Sequence, residues 1–421
     1  MPRSLVLLFA CASGLSVANV YYAQPLLDAL AQDFAISAAT AGGVITATQA
    51  GSVLALLLLV PLGDLLPRRR LMLAQLAALA VVLVAVCFAR SAPALMIAML
   101  AVGMLGTAMT QGLIAYAASA AADEERGRVV GATQSGVVAG LLLARVFAGS
   151  ITDLAGWRGV YAASAAVMLI LAALLWRALP RLPAAPASHS RPTSQRTSYL
   201  SLFASMLALL RNHRMLQVRG VIALLMFAVF GAFWSALVFL LGAPPYAYSH
   251  TAIGAFGLVG LAGAMAAARA GRWADQGRAQ STSAAALMLM TFSWLPLAMA
   301  PHSLAALIIG ILALDLGVQA LHVTNQSLIL RGANKEHSRL IGAYMLFYAA
   351  GSGCGAIAAT QAYALAGWNG VCLLGGSLSM TALAFWAVTT KVASPDCKSG
   401  QTNLEWSDQI NVLQQQRDEN P

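Results

Sequence analysis

Charge is what this chain has least of. Only 10% of its 421 residues are Asp, Glu, Lys or Arg, while 59% are apolar, and mean hydropathy is +0.74. A water-soluble fold needs far more charge to cover its surface, so the composition excludes a set of soluble domains and indicates a polytopic membrane protein. Cysteine is scarce too. Cys11, Cys87, Cys354, Cys372 and Cys397 include no CxxC pair, so neither a disulfide framework nor a metal site is expected. The common catalytic signatures are absent: there is no G-x-S-x-G, no H-E-x-x-H and no phosphate-binding loop. No enzyme activity and no cofactor are expected. A tail of about 30 residues is also too small for the soluble output domain of a sensor.

What is present is a series of apolar segments. Twelve can be drawn, roughly 5–27, 42–62, 71–89, 94–117, 129–150, 159–179, 218–241, 253–270, 282–300, 303–329, 340–362 and 369–390. The first begins like a signal peptide, with Arg3 as its basic flank, but its apolar run continues to Leu27 and is long enough to span. The fold class is therefore all-α and integral to the membrane, with twelve transmembrane helices. A Pro-, Ser- and Arg-rich connection at 181–214 reads as a linker with a short surface helix near Tyr199–Leu210. It separates an N-terminal six-helix bundle (1–180) from a C-terminal one (215–391), and residues 392–421 form a polar tail expected to be disordered.

The net charge of +10 does not indicate nucleic acid, because the basic residues sit in short loops and not on one amphipathic face. Alternate loops hold Arg68–Arg70, Arg126 and Arg128, the linker arginines, Arg272 and Arg278, then Arg331, Lys335 and Arg339; the opposite loops hold only Arg90 and Arg158. Both termini and the linker are thus expected to be cytoplasmic.

The two halves repeat at a fixed offset of 211 residues. Leu154-Ala-Gly-Trp-Arg-Gly-Val160 falls on Leu365-Ala-Gly-Trp-Asn-Gly-Val371. Arg128, Gly131 and Ala132 fall on Arg339, Gly342 and Ala343, and Asp64 on Asp275. Six spans per half is an even number, so both copies insert the same way round and are related by an axis along the membrane normal.

The tenth segment carries the most informative polar residues. Asp315, Gln319, His322 and Gln326 step by four, three and four, which places them on one helical face. Asp315 lies roughly 18 Å past Ser303, near mid-membrane. An ionisable group at that depth should face a partner or a water-filled path. A carboxylate is costly enough to bury there that Asp315 could take up and release a proton near neutral pH, with His322 as relay or modulator.

The loop after the second span, Pro61-Leu-Gly63-Asp64-Leu-Leu-Pro67-Arg68-Arg69-Arg70, resembles the G-x-x-x-D-R-x-G-R-R signature of the major facilitator superfamily. It departs at Val60, Leu65 and Pro67. The second copy, Gly271-Arg-Trp-Ala-Asp275-Gln-Gly277-Arg278, keeps the first Gly and the Asp. The resemblance covers all but the tail and implies a monomeric carrier of two six-helix bundles, with Asp64, Arg68, Arg69, Arg70, Asp275 and Arg278 as a conformational latch. In span five, Gly136-Val-Val-Ala-Gly140-Leu-Leu-Leu-Ala-Arg145-Val-Phe-Ala-Gly149 resembles the glycine-rich motif of the exporter branch without its Gly-Pro pair. Arg145 is a candidate for gating or binding. Asn19-Val-Tyr21-Tyr22-Ala-Gln24-Pro25 and the Asp-Leu-Gly-Val-Gln run resemble a bacterial branch of drug/proton-antiporter-like members.

In that superfamily spans one, four, seven and ten line the cavity. This implies Asn19, Tyr22, Gln24, Thr107, Gln111, Phe233, Trp234, Gln319 and Gln326 as lining residues, suited to an apolar or amphipathic small molecule. Asp28 and Asp33 come too late in span one to serve there and read as solvated loop residues. The expected function is proton-coupled efflux of a small organic or drug-like compound by alternating access. The alternative is proton-linked uptake or export of a metabolite such as a sugar or amino-acid derivative.

Overall fold

A computed structural model of the chain describes residues 1–122, 124–179, 199–260, 270, 272–330 and 337–418. The described residues form helices α1 (Arg3–Tyr21), α2 (Leu27–Asp33), α3 (Ala38–Leu54), α4 (Arg68–Cys87), α5 (Ala92–Ala120), α6 (Arg126–Ala178), α7 (Tyr199–Asn212), α8 (Arg214–Gly242), α9 (His250–Val259), α10 (Ala279–Phe292), α11 (Trp294–Ala298), α12 (Leu304–Leu330) and α13 (His337–Asp418). Serine hydroxyls cap α3 and α9. Ser37 accepts from the Thr40 N–H and Ser249 from the Ala252 N–H, as expected where a helix leaves four amide donors unpaired.

The repeated Leu-Ala-Gly-Trp motif turns two long helices back on themselves. Gly156 in α6 has φ 71° and Gly367 in α13 has φ 58°, a left-handed conformation open mainly to glycine. Each therefore joins two antiparallel spans, so α6 holds the fifth and sixth expected spans and α13 the eleventh and twelfth. The tryptophans that follow, Trp157 and Trp368, are both buried. Helix α13 then runs on to Asp418, where the polar composition predicted a disordered tail. Leu404, Glu405, Gln409, Leu413 and the glutamines 414–416 are good helix formers and extend the last span beyond its apolar part. Helix α7 matches the expected surface helix; residues 181–198 of the linker and residues 261–269 of the expected eighth span lie outside the described residues.

Glycines set how closely the helices pack. A Cβ on Gly140 would lie 2.2 Å from the Gly14 carbonyl oxygen, and one on Gly136 would lie 2.0 Å from that of Ala10. Gly351, the repeat mate of Gly140, has the same role in the second half, where a Cβ would lie 2.2 Å from the Leu224 oxygen. Small residues thus let α6 close on α1 and α13 on α8. On the outside of the helices Val81, Phe88, Ile97, Ile170 and Leu373 are exposed, an apolar belt that only lipid can cover.

The two halves meet on the side of the bundle away from the linker. There Thr46 Oγ1 donates to the Gly353 carbonyl at 2.8 Å and Thr360 Oγ1 to that of Ala39 at 3.2 Å. A Cβ on Gly149 would come within 2.1 Å of the His250 oxygen. On the linker side the repeat mates Gly131 and Gly342 face open space, with nothing within 4 Å of a Cβ on either. Among the described residues the halves are thus in contact on the far side, while on the linker side residues of both halves line one cavity.

Candidate functional site

Asp315 sits roughly 16 Å along α12 and is 4% exposed. Its carboxylate packs on the backbone of Gly260, where a Cβ would come within 2.4 Å of Oδ2. Oδ1 has no hydrogen-bond partner. Facing it from the first half is Arg145 of α6, 2% exposed and among the largest fully buried side chains. Gly254 and Gly257 of α9 make room for it. A Cβ on the first would lie 2.3 Å from the Arg145 oxygen, and one on the second 3.2 Å from its Cδ.

Three groups hold the guanidinium. Nη2 donates to Gln24 Oε1 at 3.0 Å. The Trp234 ring centre lies 3.9 Å from Cζ and that of Phe230 5.8 Å, a cation–π arrangement strengthened by the absence of water. Nε and Nη1 have no partner. Arg145 and Asp315 lie in each other's field without a hydrogen bond between them. The Trp234 indole N–H also acts on Asp315 without closing a bond of normal geometry. Gln24, Pro25, Arg145, Trp234, Leu237, Val238 and Ile253 line a slot of ≈ 10 Å³ on the far side of the guanidinium.

Of the polar stripe on α12, His322 lies apart from Asp315. Its Nδ1 pairs with the Tyr344 hydroxyl at 3.0 Å and its Nε2 with Gln326 Nε2 at 3.3 Å, within an aromatic cage of Phe227, Tyr344 and Tyr348. Gln319 is half-buried on the same face. Gln111 lines a separate cavity of ≈ 290 Å³ on the linker side with Gln75, Arg68, Met206, Arg339 and Gly342. Thr107 donates to Ser52 Oγ at 2.8 Å.

Two expected cavity residues are instead packing residues. Asn19 is fully buried within the first half, donating to the Leu15 carbonyl at 2.8 Å and accepting from Ser164 Oγ at 2.7 Å. Phe233 is fully buried against Trp234, Trp294 and Trp368. Each lies on a helix that does border the seam, but on the face turned toward its own half. Tyr22 is also buried, its ring against Phe147. Gln24 and Trp234 both contact Arg145.

In the latch loop, Arg68 donates to the Gly63 and Ala115 carbonyls and to Ser119, and Arg69 to the Trp176 carbonyl. These partners all belong to the first half. Arg70 and Arg278 are exposed, and the Asp64 and Asp275 side chains lie outside the described residues.

Two polar clusters escaped the sequence reading. Asp28 is not an idle loop residue: with Asp153 it brackets His250 across the seam. His250 Nε2 lies 3.1 Å from Asp28 Oδ1 and Nδ1 3.3 Å from Asp153 Oδ1. Asp153 also caps α9, accepting from the His250 N–H at 3.1 Å and the Thr251 N–H at 2.8 Å. The hydrogen bond to Asp28 raises the His250 pKa against the opposing effect of burial, and the charges of Asp28 and Asp153 add to it. Asp33 pairs with Arg158 at 2.7 Å. Near the linker side Arg219 is buried among neutral acceptors, with Ser283 at 3.1 Å, Asn325 at 3.4 Å and Gln280 at 2.9 Å.

Comparison with known proteins agrees with this architecture. The sequence model described as Major Facilitator Superfamily matches residues 8–337. The transporter YgaY of Escherichia coli O157:H7 is 39% identical over 393 residues, which is 92% of this chain and 95% of that protein. Among solved structures, a bacterial homologue of the human lysosomal transporter Spinster, inward-facing and occupied, superposes with a TM-score of 0.74 at 12% identity. It covers 92% of this chain and 96% of its own. The nucleoside transporter NupG does so with a TM-score of 0.73 at 15% identity, covering 91% and 99%. At those identities the structures share the fold.

Proposed function

This chain belongs to the major facilitator superfamily, and on that premise we propose that it is a proton-coupled secondary transporter of a small organic compound, with Asp315 as the group that takes up and releases the proton. One observation carries the reading: a carboxyl group is buried mid-span with one oxygen, Oδ1, left without a hydrogen-bonding partner, and it faces Arg145, a buried arginine of the opposite half. Whether Asp315 carries its charge changes the energy of holding the two halves together on the far side. Two conformations that differ in affinity for the proton are what proton-coupled alternating access requires. The arginine distribution supports the linker and both termini being cytoplasmic, in the inner membrane of a bacterium. The cavity on the linker side then marks the inward-facing state, and a monomer suffices because both halves of the seam belong to one chain.

Efflux by antiport is the direction that the glycine-rich stretch of α6 suggests. The second reading, proton-linked uptake or export of a metabolite, is favoured by the spare donors of Arg145. A pump-deleted bacterium carrying this chain or its Asp315→Asn variant, grown across a broad compound panel, tests the first. Tolerance conferred by the chain and lost in a normally inserted variant is the result expected of efflux. In everted vesicles with an acidified lumen, adding an exported compound should alkalinise the lumen. Gradient-driven transport at normal rates in Asp315→Asn would remove Asp315 from the coupling role.

A further inference from the structure

We propose that Arg145, held on Trp234 and oriented by Gln24, seats a carboxylate carried by the transported solute, which is therefore an amphipathic organic acid bound as its anion. The case begins with hydrogen-bond accounting. A guanidinium has five N–H donors and no acceptor. Among the described residues the only hydrogen bond of Arg145 goes to a neutral amide oxygen, and Nε and Nη1 have no partner although the side chain is 2% exposed. A buried charged donor without an acceptor is strongly destabilising, so such a group marks a place where an acceptor is meant to arrive. Stacking on Trp234 and Phe230 covers the face of the guanidinium and leaves its edge, the part that grips a carboxylate.

Charge balance points the same way. Among the described residues the titratable groups whose field reaches Arg145 are Asp315 of α12 and Tyr21 of α1. Helix α8 presents Trp234 and Phe230 to it and α9 presents glycines. With Asp315 ionised the site is neutral. With Asp315 protonated it holds one uncompensated positive charge sealed from water, and an anion restores neutrality. The anion and the proton therefore favour each other's binding, and by linkage each raises the affinity for the other equally. An organic cation would behave in the opposite way, repelled by Arg145 and competing with the proton for Asp315. Leu237, Val238 and Ile253 line the small slot beside the guanidinium and make its walls apolar. The inference rests on Asp315 as the proton site and selects between the two directions. A carboxylate that loads together with a proton travels the way the proton does, which favours the metabolite reading over antiport.

The test uses the full chain in detergent and matched triplets on three frames: indole-3-acetate, indole-3-acetamide and tryptamine; phenylacetate, its amide and phenethylamine; hexanoate, its amide and hexylamine. Affinity is read from thermal stabilisation at about pH 5.5 and about pH 8, either side of neutrality. The acid of at least one frame should bind best and bind tighter at the lower pH. Arg145→Gln should weaken it roughly 10- to 100-fold, the scale of a lost charged hydrogen bond, and Arg145→Lys should retain part of the affinity. Asp315→Asn should bind the acid equally well at both pH values. An amine or amide that binds best, no acid binding on any frame, or acid binding unchanged in a folded Arg145→Gln would each overturn the proposal. If acid binding needs Arg145 but ignores both pH and Asp315→Asn, the anion seat stands and Asp315 fails as the proton site.

Discussion

The guanidinium of Arg145 in the first half lies 3.9 Å from the ring centre of Trp234 in the second. A stacked cation thus spans the seam between the halves, beside the Asp315 carboxyl group.

Removing the aromatic face should therefore destabilise the sealed state. Trp234→Leu is expected to lower stability by about 2 kcal/mol, the scale of a desolvated cation–π contact, measured as a fall in melting temperature in detergent. Trp234→Phe keeps a face and should lose less than half of that. If the two substitutions are equally damaging, the indole N–H matters and the ring face does not.

The His250 bracket predicts a pH-sensitive far side. The hydrogen bond to Asp28 raises the imidazole above its usual 6.5, so the protonated form is the one favoured when the seam is closed. Its contribution to closure is fully present below that usual value and fades as pH rises through the raised one. A cysteine at Ile253, lining the slot behind the seal, should react with an impermeant maleimide more readily at about pH 8 than at about pH 5.5. His250→Gln should abolish the difference. An unchanged pH profile in that variant would rule the bracket out as the sensor.

Two glycines of one motif should fail in different ways. At Gly140 a methyl would strike the Gly14 backbone inside the first half, so Gly140→Ala should cost about 1–3 kcal/mol of stability through overpacking. At Gly149 it would strike His250 across the seam, and the strain is relieved by opening. Gly149→Ala should increase maleimide labelling at a cysteine replacing Ile253 while melting near the parent. Equal loss of stability in both would show that the seam does not yield.

His322 makes its contacts with Tyr344 and Gln326 and none with Asp315. With Asp315 as the proposed proton site, His322→Gln is expected to slow transport several-fold and leave the ratio of protons to solute unchanged. Vesicle flux measurements with a pH-sensitive dye give both quantities. A changed ratio would make His322 part of the proton path.

Much of the architecture was readable from residue order, because bilayer thickness and the hydrophobic effect act on local runs. Segments long enough to span, the 211-residue repeat and the Leu-Ala-Gly-Trp turns all follow from neighbouring residues. Asp315 could be singled out for the same reason, since a lone acid within an apolar run is conspicuous before any folding. The sequence by itself thus determined the spans, the pseudo-symmetry and the acid at mid-membrane. Tertiary structure alone decided what that acid faces. Helical periodicity locates a polar face but not the neighbour it meets, so Asn19 and Phe233, each on a helix bordering the seam, turned out to pack within their own halves. Arg145 on Trp234, Gln24 on Arg145, and Asp28 with Asp153 around His250 join residues 89 to 222 positions apart. Long-range packing of glycine-faced helices brings such pairs together, and no local pattern encodes them.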